Sequence, residues 1–281
     1  MANAPVDVIG FWRLLASAAV LLPFALKNGH LRAHFTRPKN EVLMVFLSAL
    51  FFFMHLWTYF YSAQHTSIAN CMIIFATNPL FVSAISYFVF GEKLTVRLAL
   101  AYIFAAIGIY FLVRHSLDFE QGFLLGDLSA LLSALFVAVY LVTGKKARMT
   151  IANSEYTFIA YSMTALFFGI SGLTQGQKFT GYSGLTWLAI CLSIAFPTFL
   201  GHVLFSYLMK RMNLNFMSCG KLLEPALSSL LAFYLFHEQL TNSHMWAFSF
   251  TTMAVLILFV PTGNLDFFKS KLVIPKFFKK P

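Results

Sequence analysis

Charge is scarce in this chain. Asp, Glu, Lys and Arg make up only 11% of its 281 residues, less than half the share usual in soluble domains. Acids are the rarer sign, 10 against 20 bases. Cysteine is limited to Cys71, Cys191 and Cys219, with no paired spacing, which argues against a disulfide framework and a zinc site. No H-E-x-x-H, G-x-S-x-G or glycine-rich phosphate loop occurs, and no apolar run holds paired aspartates. One acid in the middle of an apolar run cannot supply the acid-plus-base pair or metal cluster that hydrolysis needs, so an intramembrane enzyme is disfavoured. No cofactor is expected. No polar stretch is long enough for a soluble domain; the longest break between apolar runs, 27–42, is a basic loop.

Apolar sequence fills the rest. Hydrophobic residues are 59% of the chain and mean hydropathy is +0.75. A soluble core of this size cannot hide so much apolar surface, so the lipid bilayer is the expected solvent. The apolar runs fall at 8–26, 43–62, 67–90, 97–114, 123–143, 154–173, 185–208, 214–236 and 244–261. Each is close to the roughly 20 residues that a helix needs to cross a bilayer core. The pattern predicts an all-α polytopic membrane protein. The first run is a poor signal peptide, with Asp7 before it and no small-residue cleavage site after it.

The net charge of +10 is distributed for a membrane and not for nucleic acid. Lys27, Arg32, Arg37 and Lys39, then Lys93 and Arg97, then Lys145, Lys146 and Arg148, then Lys210 and Arg211, then Lys269, Lys271, Lys276, Lys279 and Lys280 occupy alternate loops. The other loops hold only Arg114 and Lys178. Lys and Arg accumulate on the cytoplasmic side. The basic loops and the C-terminus are therefore expected inside and the N-terminus outside, in a bacterial inner membrane. The Phe- and Lys-rich tail "FFKSKLVIPKFFKKP" reads equally as an anchor on anionic lipid or as a plain basic tail.

The sequence also repeats. At an offset of 146 residues, "NPLFVSAISYFVFGEKLT" (78–95) falls on "EPALSSLLAFYLFHEQLT" (224–241) without a gap. A proline and an F-x-E-x-L-T signature are shared in one register. The copies lie five spans apart, so they are expected to be inverted in the membrane, a recurring plan of secondary transporters. The expected organisation is a first repeat at 1–121, a second at 122–262 and a basic tail at 263–281. The second repeat holds five spans and the first four. The counterpart of "GDLSALLSALFVAVYLV" (126–142) would precede residue 1, so a first helix is expected to be missing, through a late start or a genuine loss.

"GDLSALLSAL", "FWRLLASA" and the paired "NP…FGEKLT" and "EP…FHEQLT" segments resemble the drug/metabolite transporter superfamily, EamA type, over all but the tail. The resemblance implies a ten-helix carrier for amino acids, nucleotide-like metabolites, amines or drugs, working by exchange or proton coupling. It leaves the substrate open.

Within that frame a few residues stand out. Glu224 is the one acid at the centre of a span, about 15 Å in from Leu214 at about 1.5 Å per residue. A carboxylate at that depth is functional by default, or else it caps a distorted turn beside Pro225. Lys221 shares its helix face and either pairs with it or snorkels to the basic side. Pro79 and Pro225, at matching mid-span positions, are candidate hinges. Each removes a backbone donor and frees a carbonyl four residues back, on Phe75 and Lys221. Asn78 is the neutral counterpart of Glu224. His55, in "FFFMHLWTYFY", is either a proton or ligand site or a hydrogen-bonded core residue, with Tyr59 one turn away. Arg13 either snorkels outward or binds a substrate carboxylate, and both it and His202 read as structural ahead of functional. The expected substrate-binding set is Asn78, Glu224, Lys221, His55 and Tyr59, with a small-molecule substrate and protons or a counter-substrate as partners. Alternatives are a channel-like or structural membrane protein, and a transport-defective truncated form.

Overall fold

A computed structural model describes residues 4–27, 37–66, 68–113, 124–224, 234 and 242–259. The described elements are all helical: α1 (Val6–Leu26), α2 (Lys39–His65), α3 (Ile68–Phe75), α4 (Asn78–Phe90), α5 (Val96–Val113), α6 (Leu124–Arg148), α7 (Asn153–Thr174), α8 (Gly184–Ser193), a π-helical stretch (Ile194–Val203), α9 (Leu204–Met209), α10 (Leu214–Gly220), a 3-10 turn (Lys221–Leu223) and α11 (Asn242–Phe259). By length and apolar composition, α1, α2, α6, α7 and the continuous run Gly184–Met209 can each cross a membrane. In lipid the backbone must satisfy its own hydrogen bonds, which is why such runs become helices. The 214–236 span is described only to Glu224, so Pro225 and the "HEQLT" signature lie outside the described residues, as does the basic tail.

Packing follows small residues and buried aromatics. α1 lies along α7, α2 along α6, and α5 along α11. At the α1–α7 contact, a β-carbon on Gly10 would sit 2.7 Å from the Phe168 ring. Close approach of this kind drives helix association in lipid, where no hydrophobic force acts between helices. Gly126 does the same at the start of α6, where a β-carbon would lie 2.6 Å from the carbonyl oxygen of His65. The α2, α6 and α7 core adds buried polar links. Ser48 and Tyr156 share a 2.6 Å hydrogen bond, and the Thr164 hydroxyl donates to the Ala49 carbonyl at 3.0 Å. Phe52 stacks on Tyr140 with ring centroids 4.6 Å apart. The α8–α9 run turns Leu185, Leu188, Leu192 and Phe196 outward, an apolar stripe that lipid solvates without cost.

The basic helix ends gather at one end of the bundle. Lys145 pairs with Glu92 and donates to the Met212 carbonyl at 3.1 Å, while Glu92 also accepts the Leu214 amide at 3.2 Å. Arg37 grips the fully buried Glu155 through two bonds of 3.0 and 3.1 Å. At the other end, Asp7 accepts Gln175 and Gln177, each at 3.1 Å, and Thr66 donates to Asp127 at 2.7 Å. The 144–153 segment, expected as a loop, is helical to Arg148. Its Lys145, Lys146 and Arg148 close the last turn of α6, where cations oppose the negative end of the helix dipole.

Two departures from straight helices bear on the site. The 67–90 span is interrupted: α3 stops at Phe75 and α4 begins at Asn78. Pro79 therefore sits in the first turn of α4, where its missing N–H costs nothing, and not mid-helix as a kink. α4 ends at Gly91 with φ +67°, the left-handed cap that glycine adopts without strain. The other departure is the π stretch, which contains Pro197. Proline cannot complete the ordinary helical ladder, and a wider turn accommodates it.

Candidate functional site

A cavity of about 450 Å³ lies inside the bundle, within the range of small-molecule sites. Both irregularities just described contribute to its walls, beside regular helices. The π stretch contributes Pro197, Leu200, Gly201 and His202; α9 contributes Leu204, Phe205 and Leu208; α2 contributes His55, Leu56, Tyr59 and Phe60. Arg13 enters from α1, Phe75 from the end of α3, and Lys221 and Glu224 from the distorted turn after α10. A smaller pocket adjoins it, lined by Phe75, Asn78, Pro79, Lys221 and Glu224 among others. Phe75, Lys221 and Glu224 belong to both.

The structure thus brings together the residues picked from sequence, with one change of place. His55, Tyr59, Lys221 and Glu224 line the main cavity; Asn78 and Pro79 line the side pocket. His55 is 5% exposed, and its Nδ1 lies 2.8 Å from the Ser133 hydroxyl. It is a hydrogen-bonded core residue that also lines the cavity. Asn78 is 2% exposed. Its amide donates to the Ala134 carbonyl at 3.1 Å, and its Oδ1 has no partner. Lys221 neither pairs directly with Glu224 nor reaches the basic end: its amine stands 4.8 Å from the centre of the Phe205 ring, a cation–π contact that steadies a charge out of water. Glu224 is exposed, and the space it opens onto is these two pockets.

Two cavity residues carry more than the sequence suggested. Arg13, expected as structural, is 4% exposed. Its Nε donates to the Thr198 hydroxyl at 2.7 Å, its Nη2 has no hydrogen-bond partner, and it lines the cavity. His202, expected as bland, lies in the same wall and packs edge-on against Phe52 at 4.8 Å. The signal for Arg13 was its position inside a span. The signal for His202 was Pro197 five residues before it, which widens the helix there. Among the described residues no group of His, Cys, Asp and Glu is arranged to hold a metal ion.

This arrangement can hold a small molecule with both charged and apolar parts at the depth of the bilayer. A transporter of Archaeoglobus fulgidus named only as uncharacterized is 27% identical over 250 residues, covering 89% of this chain and 85% of its own length. An uncharacterized transporter of Buchnera aphidicola is 23% identical over 228 residues, covering 80% of this chain and 75% of its own. A crystal structure of another protein superposes with a TM-score of 0.76 over 91% of this chain and 88% of that one, at 17% identity, which shows a shared fold. The EamA-like transporter family matches residues 1–114 and 124–260. The protein is therefore an all-helical, multi-pass membrane protein, and the chain belongs to the EamA-like transporter family.

Proposed function

We propose that this transporter is a secondary carrier of a small polar metabolite, bound in the central cavity and passed across the membrane by alternating access. The observation that carries this reading is the cavity itself: residues from both parts of the chain, Arg13, His55 and Tyr59 on one side and His202, Lys221 and Glu224 on the other, line one space of about 450 Å³. A site at the meeting of two halves is what alternating access acts on. The two halves are inverted repeats, bounded at about residue 121. The packing of α1 on α7 and α5 on α11, each element against its own counterpart, supports that division. The helix break before Asn78 and the 3-10 turn at Lys221–Leu223 also fall at matching places, and these serve as hinges in place of simple proline kinks.

The basic helix ends, gathered by Lys145–Glu92 and Arg37–Glu155, face the cytoplasm of a bacterial inner membrane. Protons or a counter-substrate drive the cycle, with Glu224 as the charged partner.

Purified protein in liposomes preloaded with an unlabelled metabolite extract tests this reading. Uptake of the labelled extract should saturate and should be accelerated by the load inside. Flux that rises linearly with concentration, indifferent to the load, would make the protein a channel.

A further inference from the structure

The charges around the cavity do not balance. Among its described lining residues are two cations, Arg13 and Lys221, and one carboxylate, Glu224. Lys221 and Glu224 lie one turn apart, close enough for their fields to offset each other without direct contact. That leaves Arg13. The described ion pairs join Arg37 to Glu41 and Glu155, and Lys145 to Glu92; Arg13 takes part in none of them. Its one side-chain hydrogen bond is to a neutral hydroxyl, and its Nη2 is buried without a partner. A lone guanidinium inside a bilayer is costly, and a donor left unpaired adds to that cost. A ligand that supplies an acceptor would offset that cost.

We propose, on the basis of the carrier reading above, that the substrate is a singly charged organic acid whose carboxylate docks on Arg13. Guanidinium offers parallel N–H donors matched to a carboxylate, and Nη2 is the donor left free here. One carboxylate brings the cavity to neutrality. A dianion overshoots, a zwitterion leaves the excess positive charge in place, and a cation increases it. The remaining wall holds His55, Tyr59 and His202 beside apolar Phe60, Phe75, Phe205 and Leu208, and the apolar part suits a hydrocarbon or aromatic body behind the carboxylate.

Three probes with one carbon skeleton separate these cases: phenylpropionate, phenylalanine and phenethylamine. The purified protein in detergent, near neutral pH, is unfolded by heat with each at millimolar concentration. Phenylpropionate should raise the melting temperature in a concentration-dependent way; phenylalanine should do so less, and phenethylamine not at all. Arg13→Gln should weaken the phenylpropionate response by about tenfold or more in apparent affinity, the usual loss for a charge-assisted hydrogen bond. Arg13→Lys, which keeps the charge without the planar fork, should retain a weakened response, and it decides the matter if Arg13→Gln does not fold. No shift with phenylpropionate, a larger shift with phenylalanine or phenethylamine, or an unchanged response in Arg13→Gln overturns the assignment. Uptake of labelled phenylpropionate into liposomes is scored separately. Binding without saturable flux contradicts the carrier reading and leaves the anion site standing. Saturable exchange of the metabolite extract without phenylpropionate binding does the reverse.

Discussion

Glu224 and Lys221 explain why an oily segment carries two charges. Both face the cavities, and the 3-10 turn at Lys221–Leu223 turns them there. Glu224→Gln keeps shape and removes charge, so it separates three roles. If Glu224 carries protons, proton-driven uptake should fail while substrate exchange persists. If it holds a fixed charge that offsets Lys221 in the cavity, both should fail in a protein that still folds. If it only braces the turn, transport should survive and the melting temperature should change. Wild-type uptake, exchange and pH dependence in this variant would remove Glu224 from the site. Depth along the chain was legible at this scale, and direction around the helix was not. Glu224, His55 and Tyr59 stood out because polar groups at mid-span are rare. Arg13 read as structural ahead of functional because its place in the first span fixes its depth but not which neighbours meet it. The Thr198 hydroxyl that holds it comes from 185 residues away, a distance no local pattern reports.

At the scale of elements, hydrophobic length located the spans that the structure describes in full to within a few residues. It could not show where a span breaks. The stop at Phe75 before Asn78 was foreseen as a kink at Pro79, since a proline in an apolar run is compatible with either a bent helix or a new one. The π stretch around Pro197 was not foreseen at all, because one wide turn leaves the run as hydrophobic as before. These defects build the cavity, so the functional part of the fold was the least legible. The regular part rests on close helix contacts, and Gly126 is the sharpest case. Its β-carbon would meet the backbone of His65, which cannot swing aside as a side chain can. Gly126→Val should therefore destabilise the protein by about 1–3 kcal/mol, seen as a lower melting temperature in detergent. An unchanged melting temperature would mean that α2 and α6 are free to separate.

For the molecule as a whole, the spacing of basic residues predicted that alternate helix ends share one side, and the Lys145, Glu92 and Met212 contacts join three such ends. Lys146 is exposed beside them, so a cysteine there, in a cysteine-free background, should escape an impermeant thiol reagent in intact cells and react after permeabilisation. Labelling in intact cells would invert the proposed orientation. The central claim is that one cavity is reached from each side in turn. Its most direct measurement is the labelling of Phe60→Cys, a cavity wall residue outside the charged cluster, in right-side-out and inside-out vesicles of the same cysteine-free protein. The carrier account predicts labelling from both sides without ion conductance. It also predicts that Lys145→Met, which breaks the link to Glu92, raises labelling from the basic side and lowers it from the other. Labelling confined to one side under every condition, or equal labelling from both sides with a steady ion current, would contradict it.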